Sequence, residues 1–333
     1  MALETSVTVT ELHSLATHRT SDPRQEVLHG LTANQAHLSP KFLYDNVGST
    51  LFTVITQLPE YYPTRMEAEI LRRHARDIAH HTGVVNSLID LGAGDCTKGE
   101  TLLRTVCPLQ YVPIDISADY MARAVRRLKL TYPHIEILPL AQDFTDDLYL
   151  PHQVVGHRRL FFFPGSSIGN FSPAAALDLL QRVGTLAEHD GSLLIGVDCP
   201  KPEAVLLAAY DDPLQVTAAF NRNILRCINR LIDSDFDISD WEHEARFNGA
   251  HSRVEMHLVA RRDLTVHWPG GQRHFRAGES IHTENSYKYV PTRFESMLRR
   301  ARFRNVHCWT DPREWFAVYL ASTRAEPAPA YRH

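Results

Sequence analysis

The stretch Leu88-Ile89-Asp90-Leu91-Gly92-Ala93-Gly94 runs from a short apolar segment into a glycine turn, and the amphipathic stretch KGETLLRTV (98–106) follows it. A buried strand that ends on glycine and enters a helix opens a βαβ unit. Outward from it, apolar runs alternate with amphipathic ones: QYVPID (110–115), SADYMARAVRRLKL (117–130), IEILPLAQDF (135–144), RLFFFPGSS (159–167), SPAAALDLLQRVGTLAEH (172–189) and SLLIGVDC (192–199). That alternation predicts five parallel strands joined by right-handed helical crossovers. NVHCWTD (305–311) and WFAVYLAS (315–322) read as a closing pair of strands joined by a tight reversal. The result is a doubly wound sheet of seven strands with a mixed edge.

Two helices are expected before the first strand. The apolar positions Phe42, Leu43, Val47, Leu51, Phe52, Val54, Ile55 and Leu58 recur at helical spacing up to PEYYP, and Pro63 opens a second helix that runs to Gly83. Between 200 and about 240 the strand rhythm stops, and PEAVLLAAY and PLQVTAAFNRNILRCINRLI follow one another as helices. SRVEMHLVARR and LTVHWPGGQRHFRAG then alternate as antiparallel strands, which makes this region an inserted α+β cap. A last helix is expected around RFESMLRRARF. The division is therefore 1–35, a flexible arm; 36–84, N-terminal helices; 85–199, the parallel domain; 200–289, the cap; and 290–323, the last helix and hairpin.

Composition narrows the function classes. The 333 residues are 44% hydrophobic and 22% charged, and 16 Gly with 19 Pro exclude collagen-like and disordered chains. A net charge of -4 provides no polycationic field, so nucleic acid is not expected as a partner. The five cysteines, Cys96, Cys107, Cys199, Cys227 and Cys308, form no C-x-x-C pair and fit reduced thiols. The 19 histidines show no compact ligand spacing, so no metal is expected. No apolar run approaches the roughly 20 residues of a membrane span, and the polar N-terminus lacks a signal-peptide core. The expectation is a cytoplasmic protein for a small molecule, with no membrane role. It should be a monomer, since no long amphipathic surface helix asks for a partner.

Gly92 and Gly94 sit where open α/β sheets bind ligands, but a dinucleotide fingerprint would also put glycine where Thr97 stands. Three carboxylates, expected to line one edge, sharpen the reading: Asp90 in the first strand, Asp115 ending the second, and Asp143, followed by Phe144, ending the third. A carboxylate after the second strand can accept two ribose hydroxyls. An Asp followed by an aromatic can take an adenine amino group while the ring packs on its face. Helix capping and a tight turn would explain the same residues without a ligand. The arrangement, over residues 85–200 and 290–323, resembles the class I methyltransferases that use S-adenosylmethionine. Those enzymes have a Rossmann-like seven-stranded sheet ending in such a hairpin. Cys96 departs from them, standing where a third glycine is frequent.

After the fourth strand, enzymes that methylate the amino groups of nucleic-acid bases carry Asn or Asp followed by Pro-Pro-aromatic. Here that place reads Phe163-Pro164-Gly165-Ser166-Ser167-Ile168-Gly169-Asn170-Phe171. Together with YDNVGSTLF (44–52), LPEYYPTRME (58–67), RVEMHL (253–258) and HTENSYKY (282–289), this segment resembles the histidine-specific methyltransferases of ergothioneine biosynthesis, over residues 38–322. The resemblance implies an enzyme that trimethylates the α-amine of L-histidine with S-adenosylmethionine as methyl donor. Position by position it implies cofactor contacts at Gly92, Gly94, Lys98, Asp115, Asp143 and Phe144. It implies a head-group site of Tyr61, Asn170 and Tyr210 with Tyr44 and Gly165 alongside, and an imidazole site of Met256 and the loop Glu284-Asn285-Ser286. Tyr44, Tyr61 and Asn170 are the candidates for steering the amine.

The chemistry of these residue types agrees with those roles. An Asn amide and two phenols can hold a carboxylate without a charge that repels a sulfonium. Neutral imidazole has one donor for Glu284 and one acceptor for the Ser286 hydroxyl. An in-line displacement needs alignment, and no His or Lys base is evident, so capture of the deprotonated amine is expected. Several residues have plain packing roles as well: Tyr-Tyr-Pro makes a corner, Met256 fits a core strand, and Tyr210 lies on an amphipathic helix. Two other functions stay open, methylation of another aromatic amino acid such as tryptophan and a non-catalytic S-adenosylmethionine sensor.

Overall fold

The computed structural model describes residues 22–324. Helix α1 (Pro23–Thr32) comes first, capped by the Asp22 carboxylate on the Arg24 N–H. Residues 22–35 thus correct the expected flexible arm: Val27 and Leu31 are buried, and α1 lies against the long helix α9 described below. Residues 1–21 of that arm lie outside the described residues. Ala36 to Leu38 then run alongside the cap, exchanging backbone hydrogen bonds of 2.9 Å with His282.

Helix α2 (Asn46–Ile55) follows a single turn at Pro40–Leu43, with Asp45 as its N-cap. The next helix, expected to reach Gly83 unbroken, is two: α3 (Tyr62–Arg73) and α4 (Ala75–Thr82), with His74 at the break.

Strand β1 (Ser87–Leu91), helix α5 (Thr97–Val106), β2 (Gln110–Asp115) and α6 (Ala118–Thr131) form the predicted βαβα start. The third strand is split into β3 (Glu136–Ile137) and β4 (Leu140–Ala141), both beside β2, because Pro139 lies between them and brings no N–H to the ladder. Then come β5 (Arg159–Phe163), α7 (Pro173–Leu186) and β6 (Ser192–Asp198). Every residue of β1 and β6 is buried, as strands covered by helices on both faces require.

The cap begins with α8 (Glu203–Tyr210) and α9 (Val216–Ile232). Strand β7 (Trp241–Asn248) was not foreseen, since its glutamates and arginine masked an alternation that buries Trp241 and His243. It pairs with β8 (Arg253–Ala260), and β9 (Leu264–Trp268) with β10 (Gly271–Phe275) makes the expected hairpin. Strand β11 (Ser280–Tyr287) corrects the reading of Glu284-Asn285-Ser286 as a loop, because it pairs with β8 in a three-stranded antiparallel sheet. Helix α10 (Pro291–Arg300), β12 (Asn305–Thr310) and β13 (Phe316–Ser322) are the last elements among the described residues.

The main sheet runs β12-β13-β6-β5-β1-β2-β3, with β13 antiparallel to both neighbours and the rest parallel. That is the class I order, with β3 and β4 sharing the third position. Two apolar cores cover its faces, and a third joins α1, α2 and the start of α3 to the cap. Tyr61, Tyr210 and Met256 all belong to that third core.

Candidate active site

Glycine is required at the turn after β1. Gly92 and Gly94 have φ of +72° and +54°, and a Cβ on Gly92 would meet only the Phe144 ring, at 3.9 Å. Cys96, at the helix N-cap, takes φ of +60° despite its side chain, which accounts for the third glycine elsewhere. Asp115 Oδ2 accepts the Gly94 N–H at 2.8 Å, and its Oδ1 accepts the Ser117 N–H at 2.7 Å. Burial pushes its carboxyl above the usual range despite those two donors. The turn, the carboxylate and the Phe144 ring lie together, and a Cβ on Gly94 would meet nothing within 4 Å, so the residues present fit the nucleoside half of S-adenosylmethionine.

Two acids differ from expectation. Asp90 does not line the open edge: it lies under α5, where Tyr111 donates to it at 2.7 Å and a Cβ on Gly99 would clash with both. Burial raises its pKa to about 7. Asp143 is at the edge but already holds Lys41 at 3.1 Å and the Thr145 N–H at 3.0 Å.

Lys98, in the first turn of α5, is paired at 2.7 Å with the buried Glu67 of α3. The other oxygen of Glu67 accepts the Gly165 N–H at 2.8 Å. Gly165 and Ser166, with φ of +78° and +58°, form the bend that carries the chain from β5 into the turn Ser167–Asn170. A Cβ on Gly169 would touch the Tyr287 backbone at 2.9 Å, so this turn sets the half-buried Asn170 beside the end of β11.

Across from these groups an aromatic pocket closes around Glu284. The Tyr44 ring packs edge-on to Phe52 and Phe220 at 5.6 and 5.5 Å, and Tyr61 packs edge-on to Phe52 and Tyr210 at 6.1 and 6.4 Å. Burial raises all three tyrosine hydroxyls well above the usual phenol value, and Glu284 adds to it in each case. Met256 pairs with Glu284 across β8 and β11, so the two side chains share a face. Glu284 is 8% exposed and its Oε2 has no hydrogen-bond partner. Burial pushes its pKa up to about 8, against the opposing pull of Lys288. A carboxyl left unpaired in such a place lacks a donor that a ligand can bring. Asn285, by contrast, alternates to the other face of the strand.

Ser286, expected to be free for a ring nitrogen, is already engaged, at 2.6 Å from the Tyr210 hydroxyl and 2.7 Å from Lys288 Nζ. The neighbourhood is charged: Lys288 and Lys201 bind the two oxygens of Asp198 at 2.7 and 2.5 Å, and Tyr62 donates to it at 2.7 Å. Burial alone would raise the Asp198 carboxyl, but the two ammonium groups hold it below its usual value. Asn221 orders the far side, donating to His243 Nδ1 at 2.9 Å while His243 Nε2 reaches the Tyr210 carbonyl at 2.7 Å.

The fold therefore gathers Tyr44, Tyr61, Tyr210, Met256, Glu284 and Ser286 into one pocket, with Gly165 and Asn170 at its border. Glu67, Asp198, Lys201 and Lys288 were not singled out, although Glu67 and Lys288 lie inside quoted motifs. The fold also brings together Glu255, His257 and His282, which no sequence spacing displayed. Glu255 there is held by Arg253 and Asn248, which keep its carboxyl at a pKa of about 2 against the effect of burial.

Residues 23–323 match the family described as histidine-specific methyltransferase, SAM-dependent. The chain is 41% identical over 305 residues to a "Histidine N-alpha-methyltransferase" of Mycolicibacterium smegmatis, covering 90% of this chain and 94% of that one. A protein of the same name from Mycobacterium tuberculosis is 38% identical over 313 residues, with the same coverage. An "Ergothioneine biosynthesis protein 1" of Schizosaccharomyces pombe is 25% identical over 307 residues, which are 88% of this chain and 40% of that protein. The chain belongs to the histidine-specific, S-adenosylmethionine-dependent methyltransferase family.

Proposed function

We infer that this enzyme transfers methyl groups from S-adenosylmethionine to the α-amine of L-histidine, three times, giving Nα,Nα,Nα-trimethylhistidine for ergothioneine biosynthesis. The single observation that carries the substrate reading is Glu284, a carboxyl buried without a donor in an aromatic pocket. An imidazole N–H supplies that donor, and an amino acid without one leaves the carboxyl unpaired. When bound, the cofactor supplies an electrophilic methyl carbon on a sulfonium.

In this reading Gly92, Gly94, Asp115 and Phe144 cradle the nucleoside, with Asp143 beside them, and Lys98 and Gly165 border the methionine end. Asn170 and Tyr61 hold the amino-acid head group, and Tyr210, whose hydroxyl proton goes to Ser286, packs its ring against Tyr61 beside it. Tyr44 and Tyr61 keep their phenol protons at any working pH, because burial and Glu284 oppose their ionisation. They therefore orient the amine as hydrogen-bonding groups and do not act as bases. Their ring faces tolerate the growing methylammonium through cation–π attraction. Lys288 and Lys201 are spoken for by Asp198, so the amine arrives already deprotonated. The 36–84 and 200–289 segments act as one substrate-binding unit. No helix among the described residues is long and apolar enough to cross a membrane.

Tryptophan fits less well, since indole has a donor but no acceptor. A sensor would not need a substrate pocket beside the cofactor cradle. Incubation with methyl-labelled cofactor and a panel of amino acids, read by mass, tests all three. Histidine gaining one, two and three methyls is the expected result, and label on tryptophan alone, or on nothing, rejects it.

A further inference from the structure

Lys288 Nζ contacts three oxygens: Asp198 Oδ2 at 2.7 Å, Ser286 Oγ at 2.7 Å and the Tyr210 hydroxyl at 3.1 Å. All four residues are buried. An ammonium has three donors and accepts nothing, so Ser286 and Tyr210 each give a lone pair to Lys288. The two hydroxyls are also bonded to each other at 2.6 Å. A phenol is the stronger acid and hence the better donor, so within that pair Tyr210 donates and Ser286 accepts. Ser286 Oγ then receives two hydrogen bonds and keeps only its own proton to offer.

Ser286 and Glu284 are two apart on β11, past the irregularity between His282 and Glu284, and so project to one face. One of them offers a proton. The other has an oxygen, Oε2, that accepts no hydrogen bond. We propose that Lys288 is a positioning residue that fixes the direction of the Ser286 proton, so that this subsite selects a ring with a lone-pair nitrogen toward Ser286 and an N–H toward Glu284. That is imidazole in its neutral form. Imidazolium would set a second N–H against the Ser286 proton, and indole would bring no lone pair. The inference rests on histidine being the substrate and explains how a buried lysine, away from the cofactor cradle, bears on the choice.

Two measurements test it. The first uses the wild-type enzyme with S-adenosylhomocysteine, which blocks turnover, and ring-¹⁵N-labelled histidine, read by NMR at a pH just below the free imidazole value of about 6.5. One protonated and one unprotonated ring nitrogen are expected. Two protonated nitrogens overturn the proposal, whether or not any variant folds. The second is a cycle of Ser286→Ala, Lys288→Gln and their combination, read as the Kd for histidine. Lys288→Gln leaves Lys201 to balance Asp198, so the buried charges still cancel.

Each single change should weaken histidine about tenfold, and the double change no more than about threefold beyond either, as coupled neighbours behave. S-adenosylhomocysteine should bind all variants within about threefold of wild type. Effects that multiply in the double variant, or an equal loss of S-adenosylhomocysteine, overturn the role of Lys288 while leaving histidine as substrate. A wild-type enzyme that neither binds nor methylates histidine overturns both.

Discussion

Glu67 accepts the Gly165 backbone N–H at 2.8 Å through one oxygen and binds Lys98 at 2.7 Å through the other, tying the bend after β5 to the helix after the glycine turn. At Gly165 the φ of +78° is unfavourable for any side chain, and a Cβ there would come within 3.0 Å of Lys98 Nζ. Gly165→Ala should therefore cost about 1–3 kcal/mol of stability from the backbone alone. It should also weaken S-adenosylhomocysteine more than histidine, since Lys98 is the neighbour displaced. Thermal unfolding and calorimetric titration of both ligands check this, and unchanged cofactor affinity would contradict it.

Removing the bridge itself is harsher. Glu67→Ala strands a part-buried ammonium and an N–H, and loss of one member of a buried pair costs about 3–5 kcal/mol. Glu67→Gln keeps an acceptor for Gly165 and should restore most of that stability, while cofactor affinity stays reduced because Lys98 has lost its counter-charge.

At the other end of the pocket, Glu284→Ala should raise the KM for histidine roughly 10- to 100-fold, the loss expected for a buried polar contact of 1.5–3 kcal/mol. The KM for tryptophan should change far less, because indole cannot satisfy Ser286 whether or not Glu284 is present. Steady-state kinetics on both amino acids decide the point; equal effects would remove Glu284 from ring recognition.

Glu284 also makes the free enzyme sensitive to pH. Its folded pKa, about 8, lies above the ordinary 4.5. Burial therefore favours the protonated form, and the associated stability is fully present below pH 4.5 and lost as pH rises through 8. Between those limits the melting temperature of the unliganded wild type should fall relative to that of Glu284→Gln, which cannot ionise. Parallel curves for the two proteins would show that the carboxyl is already charged.

The reacting amine sets a second dependence. With no free base in the pocket, kcat/KM should climb with pH through the titration of the free α-amine and then level off. A descending alkaline limb assigned to an enzyme group would argue for a protein base instead.

The parallel sheet was legible because strands buried on both faces are written as unbroken apolar runs, as in LFFF and LLIGV. Strands β7 and β11 were not, since each has one face covered by the cap core and the other carrying Glu, His and Asn. That pattern in IHTENSY looks like a polar loop until β8 is found beside it. The individual site residues were legible only through motif resemblance; composition and periodicity alone leave Tyr61, Tyr210 and Met256 as core residues, and by burial they are core residues as well. Lys288, Lys201 and Glu67 escaped notice because a charged residue in a sequence suggests solvent. Glu67 meets Gly165 98 positions away and Lys288 meets Asp198 90 positions away, and such distances leave no local signature. Lys201 has Asp198 only three positions away, but that pair is buried only by what folds over it.

Strand β11 has a second neighbour besides β8. Through the hydrogen bonds between His282 and residues 36–38, the edge of the ring-reading strand is zipped to the chain's early residues. Trimming the polypeptide past Leu38, far from Glu284 in sequence, would fray that edge two residues from the carboxyl and blunt discrimination among amino acids before it slowed methyl transfer.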